Sequence, residues 1–71
     1  LSLSTTAAAT ATEYIFTVTD GMEENAFVYK FGKQPPEGQT LQEYLQNCKR
    51  EAELLAQLEI DKKQPPQEMQ I

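Results

Sequence analysis

Between two proline pairs, Pro35-Pro36 and Pro65-Pro66, lies a long stretch, Leu41 to about Lys63, in which nothing breaks a helix. Thr40-Leu41-Gln42-Glu43 opens that stretch with the Thr-x-x-Glu spelling of a capping box. In such a box the Thr40 hydroxyl accepts from the Glu43 amide, and the Glu43 side chain reaches back. A proline steers the residue before it away from helical backbone angles, so Gln64-Pro65-Pro66 sets the stop. Lys62 and Lys63 stand in the last turn, where positive charge suits the helix dipole, and Glu59 and Lys63 are spaced for an i,i+4 pair. The spacing predicts one helix from Leu41 to about Lys63. Along it Leu41, Leu45, Cys48, Ala52 and Leu55 recur at four-three-four-three intervals, an apolar seam of heptad type flanked by Tyr44. Leu54, Leu58 and Ile60 widen the apolar surface toward the C-terminal end.

Upstream the periodicity changes. Tyr14 to Thr19 and Ala26 to Phe31 are rich in β-branched and aromatic residues, and the polar segment Asp20 to Asn25 separates them, so they read as a β-hairpin. A two-residue turn at Asp20-Gly21 would set Phe16 against Asn25 and Phe31 against Thr10, outside the strand-like run. A loop covering Asp20 to Asn25 instead pairs Val18 with Phe27, Phe16 with Tyr29 and Tyr14 with Phe31. All six then share one face, and each cross-strand pair contributes a few tenths to about 1 kcal/mol. A four-residue loop, Asp20 to Glu23, keeps the same faces. Lys33 to Gly38, with its paired prolines, ends the second strand.

The expected class is α+β, a ββα unit over residues 13–63 in which a β-hairpin precedes one long amphipathic helix. An extended, low-complexity arm (1–12) precedes it and an irregular, Pro-rich tail (64–71) follows. The arm is Ser, Thr and Ala, with leucines only at positions 1 and 3, so in isolation it is expected to be disordered. Its threonines suit a strand, which makes it a segment able to pair with a neighbour's sheet edge.

A chain of 71 residues buries only about 60% of the surface its unfolded form exposes. Domains this small add disulfides, a metal or a partner. Cys48 is the only cysteine, which excludes an internal disulfide, and the absence of histidine removes the usual zinc ligand sets. Association remains. A hairpin cannot cover the whole apolar surface of the helix, and exposed apolar patches mark interaction sites.

The composition narrows the functional classes. A net charge of −5 and a pI near 4.5 disfavour nucleic-acid backbones and anionic lipid. The row Tyr14, Phe16, Phe27, Tyr29, Phe31 has only Lys30 and Lys33 near it, so it reads as core rather than as a base-stacking platform. No histidine, phosphate loop or nucleophile elbow occurs. Cys48 falls on the apolar seam as a buried, inert thiol. Asp20, Glu23, Glu24 and Asn25 cluster oxygens without the alternation of an EF-hand, and read as a solvated loop. The expectation is a non-enzyme without cofactor or metal.

No apolar run is long enough to span a membrane. Ala7-Ala8-Ala9 is like a signal cleavage site, but a basic start and an apolar centre are missing, so no signal peptide is expected. One thiol and no glycosylation sequon favour an intracellular or virion-associated setting over a secreted one.

The function expected from these features is a non-catalytic interaction or assembly module. It would act as a homo-oligomer or as a small subunit of a larger complex, in the manner of small virion, phage-accessory or scaffold proteins. Leu54, Leu55, Leu58 and Ile60 are the expected partner contacts, with Val28 and Lys30 on the second strand and the N-terminal arm contributing. The alternative is an acidic inhibitor, a nucleic-acid-mimicking decoy that occupies a basic site through the Asp20–Glu24 loop and the helix acids.

Overall fold

In a computed structural model the chain is described over residues 3–21 and 25–63. Residues Ser4–Ala9 form β1, Glu13–Thr19 β2, Ala26–Gly32 β3 and Leu41–Lys63 α1. The strands make one antiparallel sheet in the order β1-β2-β3. Glu23 and Glu24 in the hairpin loop, and the tail 64–71 with its proline stop, lie outside the described residues.

The hairpin has the register that the aromatic alternation predicts: Val18 opposite Phe27, Phe16 opposite Tyr29 and Tyr14 opposite Phe31. The Asp20 amide donates to the Asn25 carbonyl at 3.3 Å, and the Asn25 side-chain amide donates to an Asp20 carboxylate oxygen at 2.8 Å. The two ends of the longer loop are therefore tied to each other.

The arm expected to seek a neighbour pairs within its own chain. It is the edge strand β1, paired along its length with β2 from Ser4 opposite Thr19 to Ala9 opposite Tyr14. The cause is a tight turn at Ala11-Thr12. The Thr10 amide donates to the Glu13 carbonyl at 2.8 Å, while the Thr10 hydroxyl oxygen accepts from the amides of Glu13 at 3.0 Å and Thr12 at 3.3 Å. Thr10 thus supplies the local side-chain acceptor that Asn or Asp more often supplies in turns. Lys33 closes the same corner. Its ammonium donates to the Thr10 carbonyl at 3.1 Å and lies 4.7 Å from the centroid of the Tyr14 ring, a cation–π arrangement.

The helix starts as its capping box requires. The Glu43 amide donates to the Thr40 hydroxyl at 3.1 Å and the Thr40 amide donates to the Glu43 carboxylate at 3.0 Å. The approach to the cap passes through Gly38, whose φ of 91° is a conformation that side chains resist. Two polar links then hold the helix across the sheet. The Tyr44 hydroxyl donates to the Gly32 carbonyl on β3 at 2.7 Å, and the Thr5 hydroxyl on β1 donates to the Glu53 carboxylate at 2.6 Å.

Between those links lies the core. Phe16 and Val18 on the central strand are buried beneath Cys48, Ala52 and Ala56, with Leu3, Tyr14, Phe27, Tyr29, Phe31, Tyr44 and Leu45 packed around them. Phe16 and Phe31 meet edge to face with centroids 5.7 Å apart, an arrangement that adds about 0.5–1.5 kcal/mol to the burial itself. The buried row of the helix is Cys48, Ala52, Ala56 and Ile60, and the heptad seam expected from the sequence departs from it after Ala52. A row at i, i+4, i+8 is inclined to the helix axis by about 26°, a slant that suits a twisted sheet. A strict four-three seam suits another helix. Leu55 is accordingly left 40% exposed and Ala56 takes the inner position.

Ala52 and Ala56 are fully buried, so a larger side chain at either position must push the helix off the sheet. Ala52→Leu is expected to cost about 1–3 kcal/mol through overpacking, whereas Leu54→Ala on the exposed flank should stay within about 0.5 kcal/mol. Chemical denaturation of the two variants beside the parent chain checks both values.

Candidate interaction surfaces

The helix of 23 residues is about 34 Å long, whereas a strand of seven residues spans about 23 Å. The side of α1 turned away from the sheet must carry side chains the sheet cannot cover. Leu54 is 61% exposed and Leu58 56% exposed, with Leu55 beside them. Tyr44, Leu55 and Leu58 lie within about 60° of one another around the axis of α1, so they share a flank. Because the Tyr44 hydroxyl reaches Gly32, this flank is the one on the β3 side.

Ile60 departs from the expected contact set. It is only 4% exposed, because it continues the inward row of Cys48, Ala52 and Ala56. Val28 and Lys30 are exposed as expected, yet they alternate with Phe27, Tyr29 and Phe31 and so face away from the helix. The structure therefore separates the expected contact residues into two places: Leu54, Leu55 and Leu58 on the helix flank, and Val28 with Lys30 on the open face of the sheet. Leu41, 46% exposed at the first turn, stands apart from both.

On the other side of the helix is a feature that residue spacing did not announce. An open groove of about 390 Å³ runs between β1 and the first half of α1, floored by Ala7, Ala9, Tyr14 and Phe16 and walled by Leu45 and Lys49. It exists because alanines on β1 are too small to fill the space beneath the helix. The only hint in the sequence was the run Ala7-Ala8-Ala9, whose meaning depends on β1 joining the sheet.

The chemistry of Cys48 is that of a core residue. Burial pushes the thiol pKa up, a side-chain hydrogen bond with Tyr44 draws it partly back, and Glu51 pushes it up again. Burial also raises the phenol pKa of Tyr29, with Glu59 adding to it, and that of Tyr44, where the bond to Cys48 and nearby charges add to it. Among the described residues no group of three His, Cys, Asp or Glu side chains is placed to hold a metal ion. No described helix is long and apolar enough to cross a membrane.

A thiol and phenols whose pKa values rise on folding favour the fold while they stay neutral. Their contribution is complete below the ordinary thiol value of 9.0, and it is lost as the pH climbs through the raised values. Thermal melting followed from neutral into alkaline buffer should hold steady and then fall, with Cys48 slow to react with a disulfide reagent until the chain unfolds. Comparison with known protein families, characterised proteins and solved structures gives no significant match.

Proposed function

We propose that this chain is a non-catalytic protein-interaction module whose helix offers Leu54, Leu55 and Leu58 to an apolar surface of a partner subunit, in a homo-oligomer or a larger complex. The observation that supports this reading is the exposure of three leucines on the C-terminal half of a helix whose opposite face is already committed to its own core. Completing the burial of such side chains contributes roughly 1–2 kcal/mol apiece, enough to anchor an interface around a few central residues.

An apolar contact is favoured over an acidic decoy by the placement of charge. Lys49, Arg50 and Lys62 are interspersed with the acids of the helix, and Glu59 lies 3.8 Å from the Lys62 ammonium. The described helix thus lacks the single-sign field that a nucleic-acid mimic needs.

Leu58→Asp should lower the mass of the assembly in sedimentation equilibrium across a concentration series, whereas Glu37→Ala, in the exposed linker, should leave it unchanged. Raising the salt concentration should not release the contact made through Leu54, Leu55 and Leu58, since apolar contacts are not screened. A Leu58→Asp chain that retains the parental mass and partner binding would overturn this reading.

A further inference from the structure

Among the described residues the sheet has two open edges, and they are not equivalent. In an antiparallel ladder the backbone groups of successive residues point alternately to the two neighbouring strands. The Thr10 amide bonds the Glu13 carbonyl, so Thr10, Ala8, Thr6 and Ser4 direct their backbone groups toward β2. Thr5, Ala7 and Ala9 therefore direct theirs outward. By the same alternation, the bond from Asp20 to Asn25 leaves Ala26, Val28, Lys30 and Gly32 facing outward from β3. There the Gly32 carbonyl is already taken by the Tyr44 hydroxyl, and Lys30 stands on the strand as a charged guard. β1, Ser-Thr-Thr-Ala-Ala-Ala, has no charge, no proline and no bulky side chain. Nothing on it opposes the addition of a strand.

We propose that β1 is a self-pairing edge, joining two copies antiparallel about Thr6 into one continuous sheet with both helices on the same face. The choice of a second copy as occupant rests on self-complementary charge. The flank of α1 above β1 carries Lys49 and Glu53, four residues apart. Glu53 sits over Thr5, bonded to its hydroxyl, and Lys49 lines the groove with Ala7. When the two-fold axis passes beside Thr6, Thr5 lies opposite the partner's Ala7. Glu53 of each copy then faces Lys49 of the other across the seam, twice by symmetry.

The backbone agrees with this register. Thr5 and Ala7 both carry outward amides and carbonyls, so they meet as a hydrogen-bonded pair, and Thr6 meets its own copy as a non-hydrogen-bonded pair. The alanine-floored groove leaves room above the seam for the long side chains of the partner's helix flank. The inference rests on the view that the chain works in assemblies, but it uses a surface separate from Leu54, Leu55 and Leu58.

Cysteine cross-linking tests the register directly. In a non-hydrogen-bonded pair the Cα atoms are about 4.5 Å apart, within disulfide range. Thr6 is exposed on the open face of the sheet, so Thr6→Cys should not disturb the core, and the native Cys48 is buried. Under mild oxidation Thr6→Cys should give a disulfide-linked dimer, and Ala8→Cys, which would face the partner's Ser4, should give little. Lys49→Glu should weaken dimerisation on the order of tenfold by setting two acids against each other, and adding Glu53→Lys to the same chain should recover most of the loss. Thr6→Cys should also cross-link in the Leu58→Asp background, which separates failure at the helix flank from failure at β1. Equal cross-linking at positions 6 and 8, none at position 6, or no response to the charge reversals would overturn the proposal.

Discussion

The close seating of α1 on β2 is the contact on which the rest of the molecule depends. Val18, Ala52 and Ala56 are fully buried where the two elements meet, and the small alanines allow the helix backbone to approach the aromatic side chains around them. In a domain of this size each buried side chain is a large share of the core, because surface falls slowly as chains shorten. The polar links then act as guides rather than as the main source of stability. A hydrogen bond contributes about 0.5–1.5 kcal/mol net, so the bonds from Tyr44 to Gly32 and from Thr5 to Glu53 chiefly set where on the sheet the helix lies. One reaches β3 from one flank of the helix and the other reaches β1 from the opposite flank, which holds the helix over β2. That placement leaves the groove on one side and the leucine flank on the other.

Elements written in local chemistry were legible in the sequence. The start of the helix followed from the Thr40-Glu43 box, because a cap acts within one turn. The hairpin register followed from alternation, because a slip by one residue would have turned Phe16 and Val18 to the solvent side. β1 was different. Its side chains are too small and too uniformly polar or neutral to show which face is buried, and its pairing depends on Thr10 acting as a turn acceptor without glycine or asparagine in the turn.

The inner face of the helix was half legible for a related reason. Cys48 and Ala52 fit a heptad seam and an i+4 row equally well, and the two patterns diverge only at the next position. There leucine at 55 is the stronger apolar signal, but alanine at 56 is the residue the sheet can accommodate. Close packing prefers volume that fits over hydrophobicity as such. Ile60 follows Ala56 inward on the same row, which removes it from the exposed set while Leu54 and Leu58 remain in it. The candidate surface was therefore readable as a region of the helix, but its membership depended on the shape of what lay beneath, which residue types alone do not encode.

The same shape argument explains why the molecule has two distinct sides. Bulk on β2 and β3, in Tyr14, Phe16, Phe27, Tyr29 and Phe31, fills the space under the helix, while Leu54 and Leu58 stand on the side of the helix turned away from it. Smallness on β1, in Ala7 and Ala9, empties the space on the near flank and leaves Lys49 and Glu53 standing over a bare strand. Neither flank can compensate for the other, because a rigid helix cannot tilt toward β1 to fill the groove without lifting Ala52 and Ala56 from Val18. The described residues thus carry both an apolar ledge and an unguarded strand as consequences of one packing solution. Covering them requires chemistry of two kinds, side-chain burial on the β3 side and backbone pairing on the β1 side. The two surfaces lie on opposite flanks of the helix, so covering one leaves the other as it is.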